Sequence, residues 1–151
     1  MTALTGSADC PPTRLAATRD GLHRVAEHVL AAARLLADWY RLGAEAMSRL
    51  ATEIPGDEPG AVVLWPEHFD VGMTAAAINY GASPGDDRVG EPYLYVGPHG
   101  GPPPGDPAFW NAPFGAARTF RQVGTVAEAA AFFRDGRARS RATVTSPRRT
   151  P

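Results

Sequence analysis

The sequence predicts an α+β fold. One or two N-terminal helices pack on a small, mainly antiparallel sheet, with a long ordered Gly/Pro-rich loop and a short C-terminal helix. Three observations point there. An apolar stripe at helical spacing runs from Leu22 to Ile54. Short β-type runs follow at Ala61–Trp65, Met73–Tyr80 and Tyr93–Val96. A helical segment then opens at Thr125 with its own capping signal.

The first element takes Asp20 as its cap and stops at Pro55-Gly56. Thirty-odd residues is long for a globular helix, so Gly43, or a junction near Arg34, is a candidate break. Ala61–Trp65 is a strand closed by Pro66. Met73–Tyr80 is a second strand, weakened by its alanines, and Tyr93–Val96 is a third. From Gly81 to Gly115 there are eight Gly and eight Pro in thirty-five residues, which forces turns. The same stretch holds Tyr93, Tyr95, Phe109, Trp110 and Phe114, an aromatic content that points to a packed loop rather than a linker. Thr125-Val126-Ala127-Glu128 is a capping box, Val126, Ala129, Ala130 and Phe133 share one helical face, and Gly136 suits the C′ position.

The chain of 151 residues suits one core. Residues 1–18 read as a flexible N-terminal segment, 19–136 as a single domain, and 137–151 as a disordered basic tail. All fifteen basic residues are Arg, which excludes lysine chemistry of any kind. Cys10 is the only cysteine, so no intrachain disulfide or cysteine-based zinc site exists. With no apolar leader and no membrane-length run, the expectation is a soluble cytoplasmic protein without a membrane partner. Charge is segregated. Residues 54–117 carry eight acids and one Arg, whereas residues 118–151 carry eight Arg and two acids. The C-terminal arginines lack interleaved aromatics, so they read as solubilising rather than as a nucleic-acid contact.

Within the acidic middle, Glu67, His68, Asp70, Ser83, Asp86, Asp87 and His99 are the candidate ligand-binding residues. If 67–70 is extended, His68 and Asp70 share a face and become candidate ligands for a divalent metal ion, or an acid–base pair. Their spacing matches no established metal motif. The bland reading is that they bond loop backbone. Gly81-Ala82-Ser83-Pro84-Gly85 matches the G-x-S-x-G pattern of serine hydrolases, but Pro84 has no N–H for an oxyanion hole and no helix can follow. A tight turn is the better reading. His23 and His28 lie five apart, off the spacing for a shared metal. Trp65, Phe69, Tyr93, Tyr95, Phe109, Trp110 and Phe114 supply either a pocket lining or the core.

Four segments stand in order: Leu64–Asp70 (LWPEHFD), Asn79–Asp86 (NYGASPGD), Glu91–Pro98 (EPYLYVGP) and Phe109–Gly115 (FWNAPFG). As a set they resemble a family of uncharacterised actinobacterial proteins, over about residues 35–136. The resemblance implies no activity. Longer members carry more sequence between segments like 22–34 and 35–50, which implies that the long helix here joins two elements. Two function classes follow. The first is a small-molecule or metal-ion binding domain centred on the acidic His/Asp region. The alternative is a non-catalytic interaction protein that associates, as a homo-oligomer or with a partner, through its long amphipathic helix.

Overall fold

The computed structural model describes residues 12–144, with side chains from 18 to 142. The fold is α+β. Helix α1 (Pro12–Glu53) is followed by a 3₁₀ turn (Pro55–Asp57). Strands β1 (Val63–Trp65), β2 (Asp70–Ala75), β3 (Ile78–Ser83), β4 (Tyr93–Pro98) and β5 (Ala116–Thr119) come next, and then helix α2 (Val126–Val144). The strands form an antiparallel meander in the order β1-β2-β3-β4-β5.

The expected single domain divides into two compact units, one through Leu35 and one from Leu36. In the first unit, Leu22, Val25, Val29, Leu30 and Leu35 are all exposed. The helix starts at Pro12 rather than Asp20, because Pro is tolerated in a first turn, where its missing N–H has no partner to lose. Residues 12–18, expected to be loose, are therefore helical; residues 1–11 lie outside the described part.

In the second unit, the C-terminal part of α1 and the whole of α2 cover one face of the sheet. Side chains alternate along a strand, so every second residue faces the helices. Met73 and Ala75 of β2, Ile78, Tyr80 and Ala82 of β3, Leu94 and Val96 of β4, and Ala116 of β5 are buried. They join Trp39, Met47, Leu50, Ala129, Ala130 and Phe133 in the core. Gly43 does not break α1. A methyl there would lie 2.5 Å from Ala82 Cβ, so glycine lets the helix sit directly on β3. Gly136 does the same for α2 against Val96, at 2.7 Å, and is not a C-terminal stop. The helix continues to Val144, so residues 137–144, read as tail, are helical; 145–151 lie outside the described part.

That extension is held by charge. Arg137 donates to both oxygens of Asp57, through Nε and, at 2.9 Å, Nη2, and Arg141 donates to Asp57 as well. The Asp57 side chain is 3% exposed. Its backbone carbonyl accepts Ala76 N–H at 3.0 Å, so one residue joins α2 to the β2–β3 turn. The capping box forms as expected: Thr125 N–H donates to Glu128 Oε2 at 3.0 Å, and Glu128 N–H donates to Thr125 Oγ1 at 3.2 Å. The aromatic loop after β4 is ordered, as expected. Phe109 is buried edge-on to Trp110, and Asn111 makes two hydrogen bonds with Ala117 backbone.

The expected strand Met73–Tyr80 is a hairpin. Ala75 pairs with Ile78, leaving Ala76 and Ala77 as a two-residue turn with φ of 47° and 60°. Such a turn needs two left-handed residues, a role Asn-Gly fills at low cost and Ala-Ala does not advertise. Strand β5 was not expected, since Ala116-Ala117-Arg118-Thr119 has weak β-propensity; it forms by pairing with β4.

Two outcomes follow. Replacing Ala76-Ala77 with Asn-Gly should stabilise the protein by about 1 kcal/mol, read as a higher urea midpoint at unchanged m-value. The hydrogen bond from Arg137 holds the Asp57 carboxyl below the ordinary aspartate range, with the charges of Arg137 and Arg141 helping and burial opposing. A depressed carboxyl stabilises the fold above its unfolded pKa of about 3.9, and that stability is lost as pH falls through the folded value. Asp57→Asn should therefore cost about 3 kcal/mol at pH 7, with the gap to wild type narrowing below pH of about 4. Paired denaturation curves at the two pH values check this.

Candidate functional site

Among the described residues of the second unit, both helical segments pack on one face of the sheet and the other face is left open. Its rungs follow from register. Asp70 lies one step beyond the Val71↔Ala82 pair and so stands across from Ser83, which pairs with Tyr93. The next rung on this face is Gly72, Gly81 and Tyr95, and the third is Thr74, Asn79 and Gly97. The middle rung is almost without side chains. The hydroxyl end of the Tyr95 ring therefore occupies the space over Gly81, where a methyl would meet its Cζ at 2.4 Å. Thus the Tyr95 hydroxyl comes within reach of the Asp70 carboxyl.

A concave pocket of about 850 Å³ opens over these rungs. Its walls include His68, Asp70, Asn79, Ser83, Asp86, Arg88, Tyr93, Tyr95, His99 and Phe114. Of the sequence candidates, His68, Asp70, Ser83, Asp86 and His99 share this pocket. Glu67 and Asp87 are exposed and not part of its lining. Residues 66–69 form a turn, with Phe69 at φ 57°, rather than an extended segment. His68 and Asp70 therefore meet through a loop and not through strand alternation. Among the described residues, no group of three or more His, Cys, Asp or Glu is placed to hold a metal ion. The G-x-S-x-G serine ends β3 on the pocket floor, and its Oγ accepts Gly85 N–H at 3.3 Å within a turn.

Helix α1 places this rung from behind the sheet. Trp39 Nε1 donates to Ser83 O at 3.0 Å, and Tyr40 Oη donates to Phe69 O at 2.6 Å. Adjacent residues on one helix thus fix the backbone at Ser83 and just before Asp70.

The two pocket carboxylates sit in opposite environments. Asp86 Oδ1 accepts the backbone N–H groups of Arg88 and Val89, each at 2.8 Å, and Oδ2 accepts Tyr93 Oη at 2.8 Å. The Val89 bond leads in holding the Asp86 carboxyl below the usual aspartate range. Asp70 is 6% exposed, and its Oδ1 has no hydrogen-bond partner among the described residues. Burial raises its pKa, and the Asp86 charge adds to the rise; the Ser83 and Tyr95 hydroxyls and the charge of His68 oppose it. Burial and the neighbouring carboxylates also push the Tyr93 and Tyr95 hydroxyls well above the ordinary phenol range, so both remain donors. Ser83 also reaches Tyr93. The hydroxyls of Tyr93, Ser83 and Tyr95 thus lie between the two carboxylates, with Tyr93 bonded to Asp86.

Tyr93, Tyr95 and Phe114 form one wall, each ring centroid 6.1 Å from the other two. The sequence offered these aromatics as either pocket or core, and the set divides: Phe109 is buried in the core, and these three line the pocket. Asn79 and Arg88 were not singled out. The signal for Asn79 was its period-two relation to Gly81 and Ser83, hidden while 73–80 was read as one strand. No protein-family model, curated protein or solved structure matches the chain.

An aspartate with a raised pKa stabilises the fold only when protonated. That contribution is complete below the unfolded pKa of about 3.9 and is lost as pH rises through the folded value. Asp70 is therefore a net cost at neutral pH. Asp70→Asn should raise the melting temperature at pH 7, and the gain should disappear as pH is lowered toward 4. Thermal melts of both proteins across that interval measure the effect.

Proposed function

We propose that this chain is a small-molecule binding domain whose site is the pocket on the open sheet face. One observation carries the reading. Asp70, in the wall of a preformed pocket, is buried with an oxygen unpartnered, an arrangement that costs stability and suits a site made for a ligand. Buried polar groups are ordinarily satisfied, so an unsatisfied carboxylate beside a cavity favours an occupant that satisfies it. The volume suits a compact organic molecule. An organic ligand is favoured over a divalent ion because both oxygens of Asp86 are already engaged and, among the described residues, no third ligand is grouped with His68 and Asp70. No helix among the described residues is long and apolar enough to cross a membrane. A cytoplasmic location fits the single cysteine, which leaves no disulfide within the chain.

The test is amide chemical-shift mapping with a set of small fragments of neutral, cationic and anionic type at millimolar concentration. Members of the set should shift Gly81, Ser83, Tyr95 and Gly97. Shifts confined to other surfaces, or none at all, would contradict the proposal.

The exposed face of α1 supports a second reading, association with another copy of this chain. Leu22 is 67% exposed, and Val25 and Val29 are each 61% exposed. Residues 1–53 carry six Arg and six acids, so two copies meet without net repulsion. Sedimentation equilibrium should then show a mass that rises with concentration and reverts in a Val25→Glu, Val29→Glu variant. A concentration-independent monomer mass would remove this reading.

A further inference from the structure

We propose that the ligand of this pocket is an organic ammonium ion, a protonated amine on an apolar or aromatic body. Its amine seats against Asp70 and its body lies against Tyr93, Tyr95 and Phe114. This inference rests on the pocket reading above and specifies the ligand class.

Charge is the first argument. Neither Asp70 nor Arg88, the one arginine of the lining, forms an ion pair among the described residues; the Arg88 charge acts on Asp86 beside it, and the only cationic group that acts on Asp70 is the exposed His68. A buried carboxylate is stabilised by a charge of opposite sign far more than by a neutral donor. A polyol would satisfy the free oxygen and leave the charge uncompensated. An anion would meet two carboxylates. Beyond the pocket, residues 54–117 carry eight acids against one Arg, so the surrounding segment favours the approach of cations.

The aromatic wall is the second argument. Three rings that touch one another line the pocket. Ring faces carry the negative end of the aromatic quadrupole and attract an ammonium group. A carboxylate with adjacent rings thus offers both terms that an organic cation uses, together with apolar area for its body.

Ammonium and guanidinium differ in what they need from a carboxylate. A guanidinium fork pairs best with both oxygens of a carboxylate. Asp70 Oδ1 is enclosed and has no hydrogen-bond partner among the described residues, and the nearby Ser83 and Tyr95 hydroxyls favour the charged form of the same carboxyl. A single unpartnered acceptor beside the pocket suits a compact ammonium donor. The other pocket groups that carry or gain positive charge are His68, His99 and Arg88. His99 Nε2 is bonded to Asn79 Oδ1 at 3.0 Å, which turns that ring toward the third rung.

The test uses three probes of nearly equal shape and different charge: benzylammonium, benzyl alcohol and benzoate. Each is titrated into the full chain at neutral pH and read by calorimetry and by amide shifts of Ser83 and Gly97. Benzylammonium should bind at least tenfold tighter than benzyl alcohol, with benzoate weakest. Asp70→Asn should bring benzylammonium down to the level of benzyl alcohol. Asp87→Asn, at an exposed position outside the lining, should leave all three unchanged. Equal or tighter binding of benzyl alcohol or benzoate in the same pocket would overturn the charge assignment while leaving the pocket reading standing. Silence from all three probes, together with silence from the wider fragment set, would remove both. An undiminished benzylammonium preference in Asp70→Asn also overturns the assignment. The wild-type comparison among the three probes decides the matter even where a variant does not fold.

Discussion

The alternation of β3 and β4 is the constraint on which the rest depends. Ile78, Tyr80 and Ala82, with Leu94 and Val96, face the helices; Asn79, Gly81 and Ser83, with Tyr93, Tyr95 and Gly97, face the other way. A slip of β3 by one residue would place Asn79 and Ser83 in the core and turn Ile78, Tyr80 and Ala82 to the open face. Core packing thus fixes the register, and register places Asp70, Ser83 and Tyr93 on one rung. The pocket is the reverse side of the core.

The helices complete the arrangement by approaching the sheet at its smallest residues. Gly43 over Ala82 and Gly136 over Val96 bring both helices close, which suits a chain in which Leu, Ile, Val and Phe make up just under a fifth of the residues. That closeness lets Trp39 and Tyr40 reach the backbone at Ser83 and Phe69. Asp57 ties α2 and the β2–β3 turn to the end of α1 through hydrogen bonds of charged and backbone type. Asp70 is the contrasting case. Asp57 has two guanidinium partners, whereas Asp70 has no ion pair among the described residues and an unpartnered oxygen. Two buried aspartates in one small unit therefore play opposite parts, one stabilising and one destabilising.

Much of this was legible in the sequence where the signal was local. The Thr125–Glu128 capping box, the Ala129, Ala130 and Phe133 face and the aromatic loop formed as their patterns implied. What was not legible depended on partners far along the chain. Gly136 has the composition of a helix stop, yet it serves a contact with Val96 forty residues earlier. Ala76-Ala77 carries no turn signature, and its left-handed backbone is held by Asp57 O on one side and His99 N on the other. Arg137 and Arg141 look like tail until Asp57 is placed opposite them. At the site, side-chain chemistry picked out His68, Asp70, Ser83, Asp86 and His99. It could not separate them from Glu67 and Asp87, because the difference lies in which way the Pro66–Phe69 and Asp86–Val89 turns project.

The central claim is that the open sheet face holds one desolvated carboxylate, Asp70, beside one that its neighbours hold ionised, Asp86. A pH titration of the aspartate side-chain ¹³Cγ resonances, with these two assigned, measures it directly. The expected result is a split: Asp70 titrating above the ordinary aspartate range of about 3.9 and Asp86 below it. Asp70 and Asp86 titrating together near the ordinary value, or in the reverse order, would contradict it.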